Sequence, residues 1–135
     1  TLHCLYTIVV QVSTPNRIRQ LEQQRQALIE ELLQAEQMLR GKFGVAYRCC
    51  GTPTCWCATG QGHPNTRITW TENAVSRTKS IRAEDVEWAK QHTQTYRHFK
   101  KKRQALRELE RKLNAALDAM EEKRVQKTRK QRDYF

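Results

Sequence analysis

The sequence has few of the residues that interrupt helices. Only five of its 135 residues are glycine and three are proline, and neither type occurs after Pro64. Proline removes a helical hydrogen bond and glycine adds a conformational-entropy cost, so a chain without them can continue as one helix for many turns. The second half of the sequence therefore predicts a long helix, and the chain as a whole a mainly α protein.

Long hydrophobic runs are also absent. No stretch approaches the roughly 18 apolar residues of a membrane-spanning helix. The most apolar segment, CLYTIVVQV at residues 4 to 12, has neither the basic region nor the small-residue cleavage site of a signal peptide. We expect a cytoplasmic protein without a membrane partner, whose 38% hydrophobic content permits one modest core but not that of a large enzyme.

Acidic residues are scarce relative to basic ones. The chain has 25 lysines and arginines against 14 aspartates and glutamates, a net charge of +11. Residues 97 to 135 contain 14 basic and 6 acidic residues, which gives +8 of that total. This asymmetry favours a polyanionic partner, nucleic acid before membrane, because no strong apolar face accompanies the charge. The alternative is an ordinary solvated helix surface.

Two basic clusters account for this charge, RHFKKKR at residues 97 to 103 and KRVQKTRKQR at residues 123 to 132. Cations on one rigid rod can neutralise several phosphates, which positions a protein on nucleic acid without reading its sequence. DNA is the preferred form. The predicted nucleic-acid-binding residues are Arg97, Lys100, Lys101, Lys102, Arg103, Arg107, Lys123, Arg124, Lys127, Arg129, Lys130 and Arg132.

Apolar residues recur at helical spacing in two segments. The first stripe consists of Ile18, Leu21, Arg25, Leu28, Leu32, Ala35 and Leu39. The second consists of Tyr96, Phe99, Arg103, Leu106, Glu110, Leu113, Leu117 and Met120, widened by Leu109 and Ala116. Both stripes predict coiled-coil helices, the first starting at Thr14 and Pro15 and ending near Arg40 and Gly41, with Gly44 preventing continuation.

The resulting architecture is an antiparallel coiled-coil helical hairpin with a small zinc-loop and β-hairpin tip. Alternating residues around the turn at 72 to 74 predict the β-hairpin, at residues 66 to 81. We divide the chain into an N-terminal strand or extension (1–14), a first helix (15–41), a cysteine-rich loop with the β-hairpin (42–82), a long second helix (83–127) and a basic tail (128–135). Two helices bury little surface, so we expect a homodimer.

The stretch CCGTPTCWCATGQGH, residues 49 to 63, contains four of the five cysteines. Tetrahedral zinc takes thiolate and imidazole ligands, and Cys50, Cys55, Cys57 and His63 supply four of them. Cys49 could replace Cys50. A reduced cysteine cluster, or a redox pair in which oxidation of Cys55 and Cys57 ejects the metal, remains an alternative.

Signals for catalysis are missing from this loop. It contains no aspartate or glutamate to act as a general base, and the chain has no H-E-x-x-H motif. A nucleophilic cysteine would need a partner such as His92 or His98, which the helical hairpin does not bring near. We therefore predict a structural metal site in a protein that is not an enzyme.

Residues 39 to 63, LRGKFGVAYRCCGTPTCWCATGQGH, resemble a family of small uncharacterised bacterial and archaeal proteins associated with mobile elements. The family signature is a helix ending in L-R-G, the loop R-C-G-K-P-x-C-R-C-x-x-G-x-x-H-G-P-Y, a strand pair and a long helix. The similarity extends more weakly over about 85 residues from Gln20. Thr52 and Trp56 replace basic residues of the signature, whereas all four metal ligands are retained.

Two functions follow as hypotheses. The first is a zinc-stabilised coiled-coil protein that binds nucleic acid as an accessory or regulatory factor of a mobile element or recombination system, with a recombinase or transposase as a further partner. The second is a coiled-coil adaptor that binds a protein partner, with zinc purely structural.

Overall fold

The computed structural model describes residues 13–135, so the predicted N-terminal strand at residues 4 to 12 lies outside the described residues. The elements are helix α1 (Thr14–Leu33), strands β1 (Lys42–Arg48), β2 (His63–Glu72) and β3 (Val75–Ser80), and helix α2 (Val86–Arg129). Single 3-10 turns occupy Trp56–Ala58 and Ala83–Asp85. The protein is mostly helical, as predicted, with a three-stranded antiparallel sheet between its two helices in the sequence.

Helix α1 ends at Leu33 and not near Arg40 and Gly41, so this predicted boundary is wrong. Residues 34 to 40 contain no proline or glycine and favour a helix locally. Instead, the Ala35 N–H donates to the Leu32 carbonyl in a tight final turn, and the Leu39 N–H donates to the His92 carbonyl at 3.1 Å. Tertiary contacts thus override helix propensity, and residues 35 to 40 reach β1 without regular secondary structure.

The described chain divides into two compact units. The helical unit combines the described residues up to Glu30 with Gln104–Phe135, and the sheet unit is Glu31–Arg103. In the helical unit Leu21, Leu106 and Leu109 are buried. These residues belong to the predicted stripes, and Ile18, Leu28 and Leu113 beside them are half-buried. Leu117, assigned to the second stripe, is instead 39% exposed.

Within the sheet unit, β2 is the central strand and pairs antiparallel with β1 and β3. The hairpin of β2 and β3 was predicted, including its turn, where Asn73 and Ala74 have φ angles of 51° and 62°. Positive φ at both central residues is typical of the tight turns that match the twist of paired strands. Ile68 in β2 is buried, as are Ala89 and Thr93 on one face of α2.

Strand β1 was not predicted. Gly44, expected to prevent the continuation of a helix, lies inside this strand and pairs with Arg67. The error has a physical cause: KFGVAYR has no clean alternation, and its burial pattern has no period of two. Its strand conformation depends on pairing with β2, residues that follow much later in the sequence.

Gly41 immediately precedes β1, and substitution there tests how closely the chain approaches β2. Its φ is +131°, and a Cβ added there would lie 2.6 Å from Ile68 Cγ2 and 2.9 Å from the Thr69 carbonyl oxygen. We expect Gly41→Ala to lower the free energy of unfolding by about 1–3 kcal/mol, because the backbone conformation is unfavourable for alanine and the strand must shift. Urea denaturation measures the change.

Gly44→Ala is the matched control. No atom lies within 4 Å of a Cβ at Gly44, and its φ is not in the positive region. Alanine should therefore be neutral there or stabilising by about 0.4–1 kcal/mol, through the entropy of the unfolded chain. Equal effects of the two substitutions would contradict the close approach of Gly41 to β2.

Candidate functional site

The cysteine-rich loop connects β1 to β2. The final pair of the β1–β2 ladder is Arg48 with His63, so residues 49 to 62 form the loop that connects these two paired residues. Gly62 is buried with a φ of +98°, and a Cβ there would lie 2.8 Å from the Arg48 carbonyl carbon. Glycine at this position lets the loop return against β1 and place His63 at the start of β2.

The four predicted ligands come together in this loop. The ligand atoms of Cys50, Cys55, Cys57 and His63 all lie within 4.8 Å of one another. The Sγ atoms of Cys50 and Cys57 are 3.4 Å apart, and Cys55 Sγ is 3.2 Å from His63 Nε2. This cluster, located between the two helices in the sequence, could hold a metal ion such as zinc.

These separations fit the geometry that tetrahedral zinc requires. Two thiolates bound at about 2.3 Å lie roughly 3.8 Å apart, and a thiolate and an imidazole nitrogen roughly 3.5 Å apart. The Cys50–Cys57 and Cys55–His63 distances are shorter than these by a few tenths of an ångström, and all other pairs of donors lie within 4.8 Å. Cys57 is completely buried, Cys55 and His63 are half-buried and Cys50 is exposed.

The electrostatics of the cluster favour a thiolate at Cys50. Hydrogen bonds from the Thr52 backbone and side chain, then from Cys57 and His63, lower the pKa of Cys50 to about 6. The backbone of Cys57, followed by its side chain, lowers the pKa of Cys55. Hydrogen bonds with Cys50 and then Cys55 raise the pKa of His63.

Cys57 behaves differently. The Cys50 N–H donates to Cys57 Sγ at 3.3 Å and lowers the pKa of Cys57, but burial and the neighbouring thiols outweigh this bond and raise the pKa to about 11. Burial and repulsion from the neighbouring thiolates therefore keep the Cys57 thiol protonated at neutral pH. A divalent cation would replace that proton and satisfy all three sulfurs.

Cys49 is outside the cluster. Its side chain donates a hydrogen bond from Sγ to the Cys57 carbonyl at 3.0 Å, and the residue is exposed. The structure therefore assigns the first ligand position to Cys50 and gives Cys49 a hydrogen-bonding role in the loop. Trp56, which is 62% exposed, packs edge-on against the His63 ring with 4.8 Å between the ring centroids.

The twelve predicted nucleic-acid-binding residues all lie in α2 or directly after it. Ten are exposed, and Lys102 and Arg103 are half-buried. Lys102 forms an ion pair with Glu31 at 3.5 Å. Within residues 13–135, none of the other eleven forms an ion pair. Arg129 stacks over the Phe135 ring, with 5.2 Å from its guanidinium carbon to the ring centroid.

The sequence did not reveal a groove in the sheet unit. This groove has a volume of about 820 Å³ and is formed by residues 40–43, residues 69–71 of β2 and residues 90–100 of α2. Its five cationic residues are Arg40, Lys42, Lys90, Arg97 and Lys100. Arg97 and Lys100 were predicted from the basic cluster, whereas the other three are isolated in the sequence and only the fold brings them beside it.

Comparison with known proteins identifies one family. The domain of unknown function DUF6788 matches residues 15–91, which is more than half of the chain, and the protein belongs to this family. The match includes α1, the sheet, the Cys/His cluster and the start of α2. No curated protein and no solved structure gives a significant match. Among the described residues, no helix is long and apolar enough to cross a membrane.

Proposed function

We propose that the protein binds nucleic acid, with DNA preferred, through the cationic surface of α2, and that it does so without catalysis. The observation that supports this most strongly is that eleven of the twelve predicted lysine and arginine side chains in and after α2 form no ion pair within residues 13–135. Surface cations that are not neutralised internally are available to phosphates, and each contact releases condensed counterions.

Zinc has a structural role in this proposal. All four positions of a tetrahedral site are filled by protein side chains, which is typical of structural zinc and leaves no open position for a substrate or an activated water. No carboxylate belongs to the cluster. The bound ion would hold the loop closed and fix the end of the β1–β2 hairpin.

The cellular setting that we propose is a mobile element or its recombination machinery, where the protein would act as an accessory or regulatory factor beside a recombinase or transposase. This part depends on the resemblance of residues 39 to 63 to proteins associated with mobile elements. A homodimer would present two copies of the cationic surface to one nucleic acid.

Salt dependence tests nucleic-acid binding. We expect the logarithm of the affinity for an arbitrary DNA duplex to fall linearly with the logarithm of salt concentration. Replacing Lys123, Arg124 and Lys127 by glutamine should make that slope less steep by about 2.7, because each phosphate contact contributes about 0.9. Fluorescence anisotropy at several salt concentrations measures both slopes.

The matched control replaces Arg77, Arg82 and Arg111 by glutamine. Each of these arginines pairs with a carboxylate, and this variant loses the same three charges from the net +11. Its slope should equal that of the parent. A flat salt response of the parent would contradict nucleic-acid binding, and equal slopes for the two triple variants would contradict phosphate contacts at Lys123, Arg124 and Lys127.

A protein adaptor is the second candidate. Among the described strands β1 lies at the edge of the sheet, and its Val45 and Tyr47 side chains are 47% and 48% exposed. An edge strand with exposed apolar residues can accept a strand from a partner. A flat salt response combined with loss of partner capture by Val45→Lys would favour this function.

A further inference from the structure

The groove in the sheet unit has one sign of charge. Of the residues that line it, five are cationic and none is acidic. Within the described part of the chain, none of the five cations is engaged in an ion pair. A concave surface lined by unpaired charge of one sign concentrates ligands of the opposite sign, so the groove is suited to a polyanion.

The groove also presents aromatic rings. Phe43 from β1, Trp70 from β2 and Tyr96 from α2 line it, and all three are half-buried. Tyr96 was assigned to the packing seam of the second helix, and the structure instead places it among the groove residues. Gln94, which is exposed, supplies an amide group to the same surface.

A groove with aromatic rings beside unpaired cations favours single-stranded nucleic acid over a duplex. In a duplex the bases stack on one another and present only their edges and the phosphate backbone. An unpaired strand offers base faces, which stack on aromatic side chains while cations follow the phosphates. The volume of about 820 Å³ lies within the roughly 300–1,000 Å³ typical of clefts that enclose small ligands, which suits a few nucleotides.

We propose that this groove binds an unpaired segment of nucleic acid, with bases stacked on Trp70 and Tyr96 and phosphates held by Arg40, Lys90, Arg97 and Lys100. This inference rests on the proposed nucleic-acid function and specifies its ligand in the sheet unit. Because stacking is available to every base, the groove selects unpaired strands without selecting sequence.

Two substitutions at Tyr96 test the stacking. Tyr96→Phe retains the ring, whereas Tyr96→Leu removes it and retains an apolar side chain. We expect Tyr96→Leu to weaken the binding of a short oligo(dT) by about 5- to 150-fold and Tyr96→Phe to change it little. Neither variant should alter the affinity for a DNA duplex. Trp88→Leu, outside the groove and 51% exposed, should bind oligo(dT) like the parent.

An abasic oligonucleotide of the same length provides the matched ligand, because it keeps the phosphates and has no bases. It should bind more weakly than oligo(dT) and be insensitive to Tyr96→Leu. Lys90→Gln, at an exposed position that does not threaten folding, should make the salt slope for oligo(dT) less steep by about 0.7. Fluorescence anisotropy gives each of these values, and thermal melting checks that each variant is folded.

The outcomes separate the two proposals. Equal binding of oligo(dT) and the abasic strand, or equal affinities of folded Tyr96→Leu and Tyr96→Phe for oligo(dT), would contradict single-strand binding in the groove. A steep salt response in the same experiments would still support nucleic-acid binding through α2. If Lys90→Gln left the salt slope for oligo(dT) unchanged, that result would also contradict single-strand binding in the groove. A flat salt response for duplex and single strand alike would overturn both.

Discussion

Cys55→Ser is expected to abolish zinc binding and to lower the free energy of unfolding of the sheet unit by on the order of 5 kcal/mol, a part of the binding free energy of a structural zinc ion. Cys55 is one of the four clustered donors, and its Sγ lies 3.2 Å from His63 Nε2. Its loss therefore leaves only three donors for the metal. In zinc-finger peptides the binding free energy of about 10–16 kcal/mol is also folding free energy, and loss of a ligand removes a large part of it. Elemental analysis and thermal melting, with and without a chelator, measure both effects.

Cys49→Ser is the control for this experiment. It removes a neighbouring thiol that donates to the Cys57 carbonyl but is not one of the four clustered donors. This variant should retain about one zinc per chain and melt within a few degrees of the parent. A parent that contains no metal, together with a Cys55→Ser variant that melts at the parent temperature, would show that the loop is not a zinc site.

Leu21→Ala is expected to destabilise the helical unit by about 2–5 kcal/mol, the range for large-to-small substitutions in a well-packed core. Leu21 is only 2% exposed, and α1 contains no other fully buried residue. The loss combines the transfer free energy of the removed atoms with the cost of the cavity. Urea denaturation followed by circular dichroism measures it.

Leu33→Ala makes the same chemical change at the end of the same helix, where Leu33 is 73% exposed. Its effect should remain within about 0.5 kcal/mol, as for most surface substitutions. Similar destabilisation by both variants would mean that the apolar stripe of α1 does not form the core of this unit.

The helices were predictable because their signal is local. The 3-4 spacing identified Leu21, Leu106 and Leu109, the residues that are buried in the helical unit. The end of α1 was not predictable, because the bond from Leu39 to His92 depends on residues far apart in the sequence. Strand β1 was missed for the same reason.

The candidate metal site was predicted more completely than the groove. Its four ligands fall within 14 consecutive residues, 50 to 63, so composition and spacing were sufficient to find them. The groove combines Lys42, Trp70 and Lys90 from three separate segments. None of these residues stands out in its local sequence, and only the pairing of the strands and the position of α2 bring them together.

The position of His63 has a consequence for the groove at the other end of the hairpin. His63 is both a clustered donor and the first residue of β2, where it pairs with Arg48. Side chains alternate between the faces of a strand, so a one-residue slip of β2 against β1 would invert every β2 side chain. The same slip would carry His63 away from the three thiols. A metal ion bound by all four side chains would therefore hold this register, which places Trp70 and Phe43 on a common face at the end of the β1–β2 hairpin opposite the cysteine-rich loop.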